Sequence, residues 1–244
     1  MTAKASLFSE SVEFQRLFLI SSNEVNKPIP VIDKQGNGIA GGSNKLKRTT
    51  NRKRVIFDGM ITRYGKTYQI NNGKGEKKLG LYVETLQRII EQFEIALTKW
   101  KRVFVLRFDL HIPFETKDNK HMTAFRKRLF QKLKREYSFK EVGFCWAREY
   151  HGKGKGQHYH WVLFLDGNLI RHSSRINEMV RQAWEMPVGG FHVPTIKRPF
   201  YFADSDAIAI KAIYRISYLA KTRGKGYRPA QTKDYQCSRM KLPE

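Results

Sequence analysis

Two histidines stand two residues apart inside an apolar, aromatic run, Gln157-His158-Tyr159-His160-Trp161-Val162-Leu163-Phe164-Leu165. Further on, Tyr214-Arg215-Ile216-Ser217-Tyr218-Leu219-Ala220-Lys221 repeats phenols and a lysine at steps of three and four. On a strand, alternate side chains leave the same face, so His158 and His160 emerge side by side. On a helix, three- and four-residue steps share a face, which aligns Lys211, Tyr214, Tyr218 and Lys221. Two neutral imidazoles can hold a divalent cation and leave positions open for substrate and water. Such a cation polarises a phosphate oxygen and neutralises the charge that grows during displacement at phosphorus. A tyrosine beside it could attack and hold one end covalently, although a phenol ionises at about 10 and needs help at neutral pH. Lys221 is the expected help, because a neighbouring ammonium lowers a phenol and balances phosphate charge. Cleavage of a phosphodiester is the chemistry these groups suit.

An anionic third ligand is expected, and Glu149 is placed for it. It ends the preceding strand across a hairpin from His158, on the face of Gly143, Cys145 and Ala147, whose small size leaves room. His151 and His111 compete for that role. Asp109, facing off an earlier strand, either pairs with the basic residues beside it or orients a ligand imidazole. The run Gly152-Lys153-Gly154-Lys155-Gly156 is not a nucleotide-binding loop, since Gln157 follows its last glycine. It reads as a hairpin tip, and Lys153 and Lys155, with Arg148 and Lys211, are the expected contacts to a DNA backbone. The plain alternatives are an ordinary strand histidine pair and tyrosines that pack a core. The lysines at 211 and 221 argue against a core stripe.

These groups need elements to hold them. Leu86, Ile89, Ile90, Phe93 and Leu97 share one helix face between Leu81 and Lys101. Val103 to Ile112 alternates as a strand, with Phe104, Leu106, Phe108, Leu110 and Ile112 on one side and Arg107, Asp109 and His111 on the other. Residues 119–136 form a very basic helix with Met122, Phe125, Leu129 and Leu133 inward. Glu141–Glu149 and His158–Leu165 are hairpin strands. Arg171–Met186 is a helix, Gly190–Ile196 a further strand, and Asp204–Lys221 a helix capped by Asp204 or Ser205. Tyr64–Ile70 is a short strand. The order predicts an α+β fold, an antiparallel sheet of about five strands carrying the histidine pair, flanked by helices, with a tyrosine-bearing helix packed at the site. Residues 1–75 read as a basic N-terminal segment, in which Lys45–Arg54 is either a solvated linker or a phosphate-contacting arm. Residues 76–225 form the catalytic domain and 226–244 a polar tail.

Composition points to a polyanionic partner. Forty-six Lys and Arg against 22 Asp and Glu give a net charge of +24, spread along the chain among aromatics. No apolar run approaches the roughly 18–20 residues of a membrane helix, and Met1–Phe18 has no continuous apolar core of signal-peptide type. Cys145 reads as a small buried hydrophobe and Cys237 as a tail residue, and two cysteines cannot build a disulfide framework or a four-thiolate zinc site. The cell interior is the expected compartment.

Taken together, these pieces resemble the HUH endonucleases, the group that includes rolling-circle replication initiators. Phe104-Val105-Leu106-Arg107-Phe108-Asp109-Leu110-His111 lies where that family has its first strand motif, though without the Thr-rich form of many plasmid initiators. His158-Tyr159-His160 is similar to its histidine-hydrophobic-histidine motif. Tyr214 and Tyr218 with Lys221 resemble the two-tyrosine motif of phage initiators. Over residues 80–225 the chain looks most like filamentous-phage gene-two-type replication proteins and their prophage relatives. The resemblance implies site- and strand-specific DNA nicking and rejoining, initiating rolling-circle replication of a phage or mobile element. Tyr218 would attack, leaving a 5′-phosphotyrosine and a free 3′-hydroxyl, and Tyr214 would make a second cut. Mg²⁺ or Mn²⁺ would sit on His158, His160 and Glu149. The partners implied are single-stranded or supercoiled origin DNA with a host helicase and polymerase, in the cytoplasm of a bacterial cell. Alternatives are a single-strand transposase or mobilisation nuclease and, in a different class, a non-catalytic basic DNA-binding protein.

Overall fold

Period-two alternation runs through three segments, and each is a strand of one sheet. The computed structural model describes residues 53–63, 65–73, 78–150, 156–186, 191–229 and 231–243. The described residues of 52–61 and 67–244 belong to one compact unit. The large sheet, the helices and the site all belong to it. Four short strands come first: β1 (Val55–Ile56), β2 (Met60–Arg63), β3 (Lys66–Gln69) and β4 (Leu81–Tyr82). Then follow α1 (Val83–Lys99), β5 (Val103–Ile112), α2 (Lys120–Tyr137), β6 (Gly143–Tyr150), β7 (Gln157–Asp166) and α3 (Ser174–Trp184). The chain closes with β8 (Phe200–Ala203), α4 (Asp206–Ile216), a 3-10 turn (Ser217–Ala220) and β9 (Tyr235–Cys237).

Five strands in the order β8-β5-β7-β6-β9 make one antiparallel sheet, so the fold is α+β, as the pattern predicts. One face is largely apolar, with Arg148 and Gln157 buried at its far end. Phe108 stacks on Trp161 at 5.8 Å, and Phe125 of α2 meets Trp161 edge-on at 5.3 Å. Met122, Leu129 and Leu133 of α2 and Ile176, Val180 and Trp184 of α3 complete this core. Each such side chain contributes about 1.5–3 kcal/mol by leaving water, which makes this face the main source of stability.

The other face changes character along its length. At one end α1 covers Phe164, with Phe93 stacked on it at 5.4 Å. At the opposite end the same face carries Arg107, Asp109 and His111 on β5, His158 and His160 on β7, and Glu149 on β6. The registers Asp109↔His160↔Ala147 and His111↔His158↔Glu149 set them side by side.

Two segments differ from the expected pattern. Of the expected strand 190–196, the described residues 191–196 give a single bridge, His192↔His111, and the pairing strand comes later as β8. The segment after residue 226, polar by composition, supplies the edge strand β9 beside β6. Beyond it, Gln92 of α1 accepts from Met240 N at 3.0 Å and from the Ser238 hydroxyl, so the end of the chain is docked on α1. No helix among the described residues is long and apolar enough to cross a membrane.

Candidate functional site

The polar end of the sheet is built around His160, which is 6% exposed. Its Nδ1 lies 2.8 Å from Asp109 Oδ1 on the neighbouring strand, and its Nε2 lies 3.0 Å from Glu149 Oε2. Burial would lower the imidazole, but the hydrogen bonds of Asp109 and Glu149 outweigh it and raise the ring above its ordinary value. Burial likewise acts to raise Asp109, and His160 and Arg107 pull it below the usual range. For Glu149, burial is overcome by Lys225 and His160, which bring the carboxyl down to about 2. Asp109 thus makes both contacts at once, to the His160 imidazole and, through Oδ2 at 3.5 Å, to Arg107 Nη2.

Lys225 is a member of the site that the sequence does not reveal. Its ammonium donates to Glu149 Oε1 and to the Lys221 carbonyl, each at 2.6 Å, with the side chain 1% exposed. The sequence Gly224-Lys225-Gly226 makes this possible. Both glycines have left-handed φ, 72° and 90°, a conformation that disfavours side chains, and the doubled chain turns Lys225 inward. Hydrogen bonds from Thr222 N to Gly80 O and from Tyr150 N to Gly224 O lace this segment to the body.

Tyr218 completes the cluster. It lies on the 3-10 turn that follows α4, not on the α-helix itself. The tighter winding removes it from the stripe expected for Lys211 and Tyr214. Its ring meets His160 edge-on, with centroids 5.1 Å apart and planes at 86°. Arg107 lies over the ring at 4.3 Å and Lys221 at 4.2 Å. The expectation that Lys221 lowers the phenol is corrected here. Burial pushes Tyr218 up, Glu149 and Asp109 add to that, and Arg107 offsets it only in part. Lys221 is itself 7% exposed, a buried cation over the ring face and not the solvated flank that its type suggests.

Other expected residues lie elsewhere. His158 packs against His111, ring centroids 4.6 Å apart, and His111 Nδ1 is 3.1 Å from His192 Nδ1. Tyr214 is half-buried on α4, where its carbonyl accepts from Ser217 Oγ, and Lys211 is exposed. Arg148 is no DNA contact. It is 1% exposed on the apolar side of the sheet, and its guanidinium donates to Thr116 O, Asp118 O and Asn119 Oδ1. Lys153, Lys155 and His151 lie outside the described residues. The room expected beside Gly143 is filled, since a Cβ there would meet Met240 Cε at 2.6 Å and Phe164 Cβ at 2.9 Å.

Do these residues fit a divalent cation? Mg²⁺ binds oxygen and nitrogen donors at about 2.0–2.1 Å, so two donors at right angles on it stand about 3.0 Å apart. His160 Nε2 and Glu149 Oε2 have that spacing, and Asp109 takes the far ring nitrogen, as carboxylates behind metal-bound histidines do. A cation would replace the proton now between them. His158, the other imidazole of the expected pair, is turned to His111, and among the described residues no group of three or more His, Cys, Asp or Glu is assembled to hold a metal ion. The pair His160 and Glu149 fits; the full triad is not formed.

Comparison with known families matches residues 65–238 to a model described as the YagK/YfjJ C-terminal domain. That span includes the whole sheet and every residue of the cluster around Tyr218. No curated protein and no solved structure matches the chain.

Proposed function

The chain belongs to the YagK/YfjJ C-terminal domain family, and for this member we propose a DNA strand transferase that nicks and rejoins one strand through a 5′-phosphotyrosine on Tyr218. One observation carries the reading: the phenol of a late turn and the imidazole of a central strand, far apart in sequence, meet at 5.1 Å between two buried cations. Tyr218 Oη forms a bond to phosphorus as the bond to the 3′-oxygen breaks. The proton lost from the phenol is matched by the proton gained on the 3′-oxygen. The freed 3′-hydroxyl can prime a polymerase, and its attack on the phosphotyrosine is the reverse step that rejoins the strand. In this reading the protein opens an origin for rolling-circle replication of a phage or mobile element, with origin DNA, a host helicase and a polymerase as partners.

Each neighbour of Tyr218 has a task. His160 is locked by Asp109 and Glu149, so its ring fixes one edge of the phenol. Arg107 and Lys221 place positive charge where a phosphate would add two oxygens. Mg²⁺ or Mn²⁺ on His160 and Glu149 would polarise a phosphate oxygen and cancel the carboxylate charge that helps hold the phenol up.

A second reading has its own support. Asp109, His160, Glu149 and Lys225 form a chain of mutually satisfied charges, the arrangement of a structural network in a DNA-binding protein that cuts nothing. Transfer of label from a 3′-labelled single-stranded oligonucleotide to protein, with Mn²⁺, separates the two. Adduct should form with the parent protein and with Tyr214→Phe, and be lost with Tyr218→Phe while binding persists. His160→Ala should slow cleavage at least about a hundredfold with affinity little changed, because the site acts on the transition state. Adduct from a Tyr214→Phe, Tyr218→Phe double variant would sink the assignment, and no adduct from any variant would favour the binding protein.

A further inference from the structure

Around Tyr218 positive charge exceeds negative. Arg107 is 6% exposed, and its Nε has no hydrogen-bond partner. Arg215, three residues before Tyr218 on α4, also has a buried Nε without a partner. Two backbone anchors bring these arginines to one place. Arg107 N donates to Pro199 O at 2.7 Å, and Arg215 Nη2 donates to Lys197 O at 2.9 Å, two residues away on the same segment. Lys221 sits over the same ring as Arg107, and Lys225 is spent on Glu149. Of the four cations here, Arg107 is paired with Asp109 at 3.5 Å and Lys225 with Glu149 at 2.6 Å, and Arg215 and Lys221 have no ion pair among the described residues. Two positive charges are thus in surplus, Lys221 at a buried position and Arg215 at a half-buried one. Burial and then Arg107 depress both Arg215 and Lys221, as expected of like charges held together.

We propose that this surplus is the seat of a phosphodiester oxyanion, gripped by the guanidinium of Arg107 with Arg215 beside it and presented to Tyr218. The inference rests on the same cluster as the proposed function and names its phosphate anchor. A planar guanidinium offers paired N–H donors that match two phosphate oxygens, which a lysine cannot reproduce. The orphaned Nε atoms are the donors that such an oxyanion would satisfy. A neutral ligand would leave both the charge and the donors unanswered, and the net charge of +24 spread along the chain suits a polyanion better than a small carboxylate, which is why nucleic-acid backbone is the occupant assigned.

Binding measured in EDTA on a Tyr218→Phe background removes cleavage from the test. The probe is a fluorescent single-stranded oligodeoxynucleotide, with inorganic phosphate as competitor. Arg107→Gln should weaken binding about tenfold or more and reduce the slope of log affinity against log salt by about 0.7 for each phosphate that is no longer neutralised. Arg107→Lys keeps the charge and loses the paired donors, so affinity should fall several-fold with the slope unchanged. Arg215→Gln, at a half-buried position, should weaken binding at least about threefold, whereas exposed Lys134→Gln on α2 should stay within about twofold. Phosphate should displace the probe from the background protein at concentrations that leave Arg107→Gln unaffected. If Arg107→Gln does not fold, as judged by circular dichroism, Arg107→Lys and Arg215→Gln decide. Folded arginine variants that bind within twofold of their parent overturn the seat. Phosphate binding without oligonucleotide binding overturns the nucleic-acid assignment, and the nicking with it. Absence of adduct from the parent protein with Mn²⁺, with these affinities as expected, would sink the nicking alone and leave the seat standing.

Discussion

Replacing Lys225 by methionine tests the buried ion pair that ties the tyrosine-bearing turn to the sheet. Lys225 Nζ and Glu149 Oε1 are 2.6 Å apart, with side chains 1% and 3% exposed. The same ammonium also holds the Lys221 carbonyl at 2.6 Å. Methionine matches the stem but leaves Glu149 charged against His160 and strips that carbonyl of a donor. Removing one partner of a buried pair costs about 3–5 kcal/mol. Because His160 remains on Glu149, the lower end applies, about 3 kcal/mol. For a domain of this size each kcal/mol moves the melting temperature by about 2–4 °C, so a fall of about 6–12 °C is expected. Adding Glu149→Gln removes the stranded charge, and the pair of changes should be less damaging than the sum of the singles by about 1–3 kcal/mol. Thermal unfolding followed by circular dichroism at neutral pH gives all four corners of the cycle. A fall below about 3 °C for Lys225→Met, or strict additivity in the double variant, would refute the reasoning.

Three further outcomes follow from other parts of the sheet. Arg148→Met should destabilise the protein by about 2–3 kcal/mol through loss of its charged hydrogen bonds to the loop at Thr116–Asn119. Oligonucleotide affinity should stay within about twofold, because the guanidinium lies on the face away from Tyr218. Gly143→Ala should cost about 1–3 kcal/mol by overpacking against Phe164 Cβ and Met240, a loss readable in urea unfolding. Cys145 and Cys237 are free and opposed in register across β6 and β9. Antiparallel partners stand about 4.5–5.5 Å apart at Cα, inside the roughly 4.4–6.8 Å that a disulfide spans. Mild oxidation should join them in a peptide detectable by mass spectrometry, and a failure to find it would mean that β9 pairs in another register.

The sequence carries the frame because side-chain alternation is a local signal. Phe104 to Ile112 shows apolar residues on one side and Arg107, Asp109 and His111 on the other, and that division survives unchanged in the sheet. His158, His160 and Glu149 fall on one face for the same reason. Weakly patterned elements are harder to read. β9 runs Tyr235-Gln236-Cys237, all half-exposed, and an edge strand of three residues has no inward run to betray it. β8 begins with Phe200 at the surface, while the more strand-like stretch before it contributes one bridge.

What no local pattern can carry is the partner assigned to each charge. Lys225 sits in a glycine-flanked polar stretch, where a lysine is ordinarily solvated, and only the left-handed turns at Gly224 and Gly226 send it to Glu149, 76 positions away. Lys221 has the spacing of a solvated flank only if the α-helix continues through it. The chain instead tightens to a 3-10 turn at Ser217, so the lysine and Tyr218 rotate together into the sheet. That rotation also explains why the simple activation argument fails. A cation over a ring face is brought near the π-system and not the hydroxyl, and the burial that permits this stacking raises the phenol more than the cation lowers it. The cations of this cluster are therefore better matched to an anion that arrives from outside than to the ionisation of Tyr218. That is the physical ground for seeking their partner in a phosphate and not in the protein.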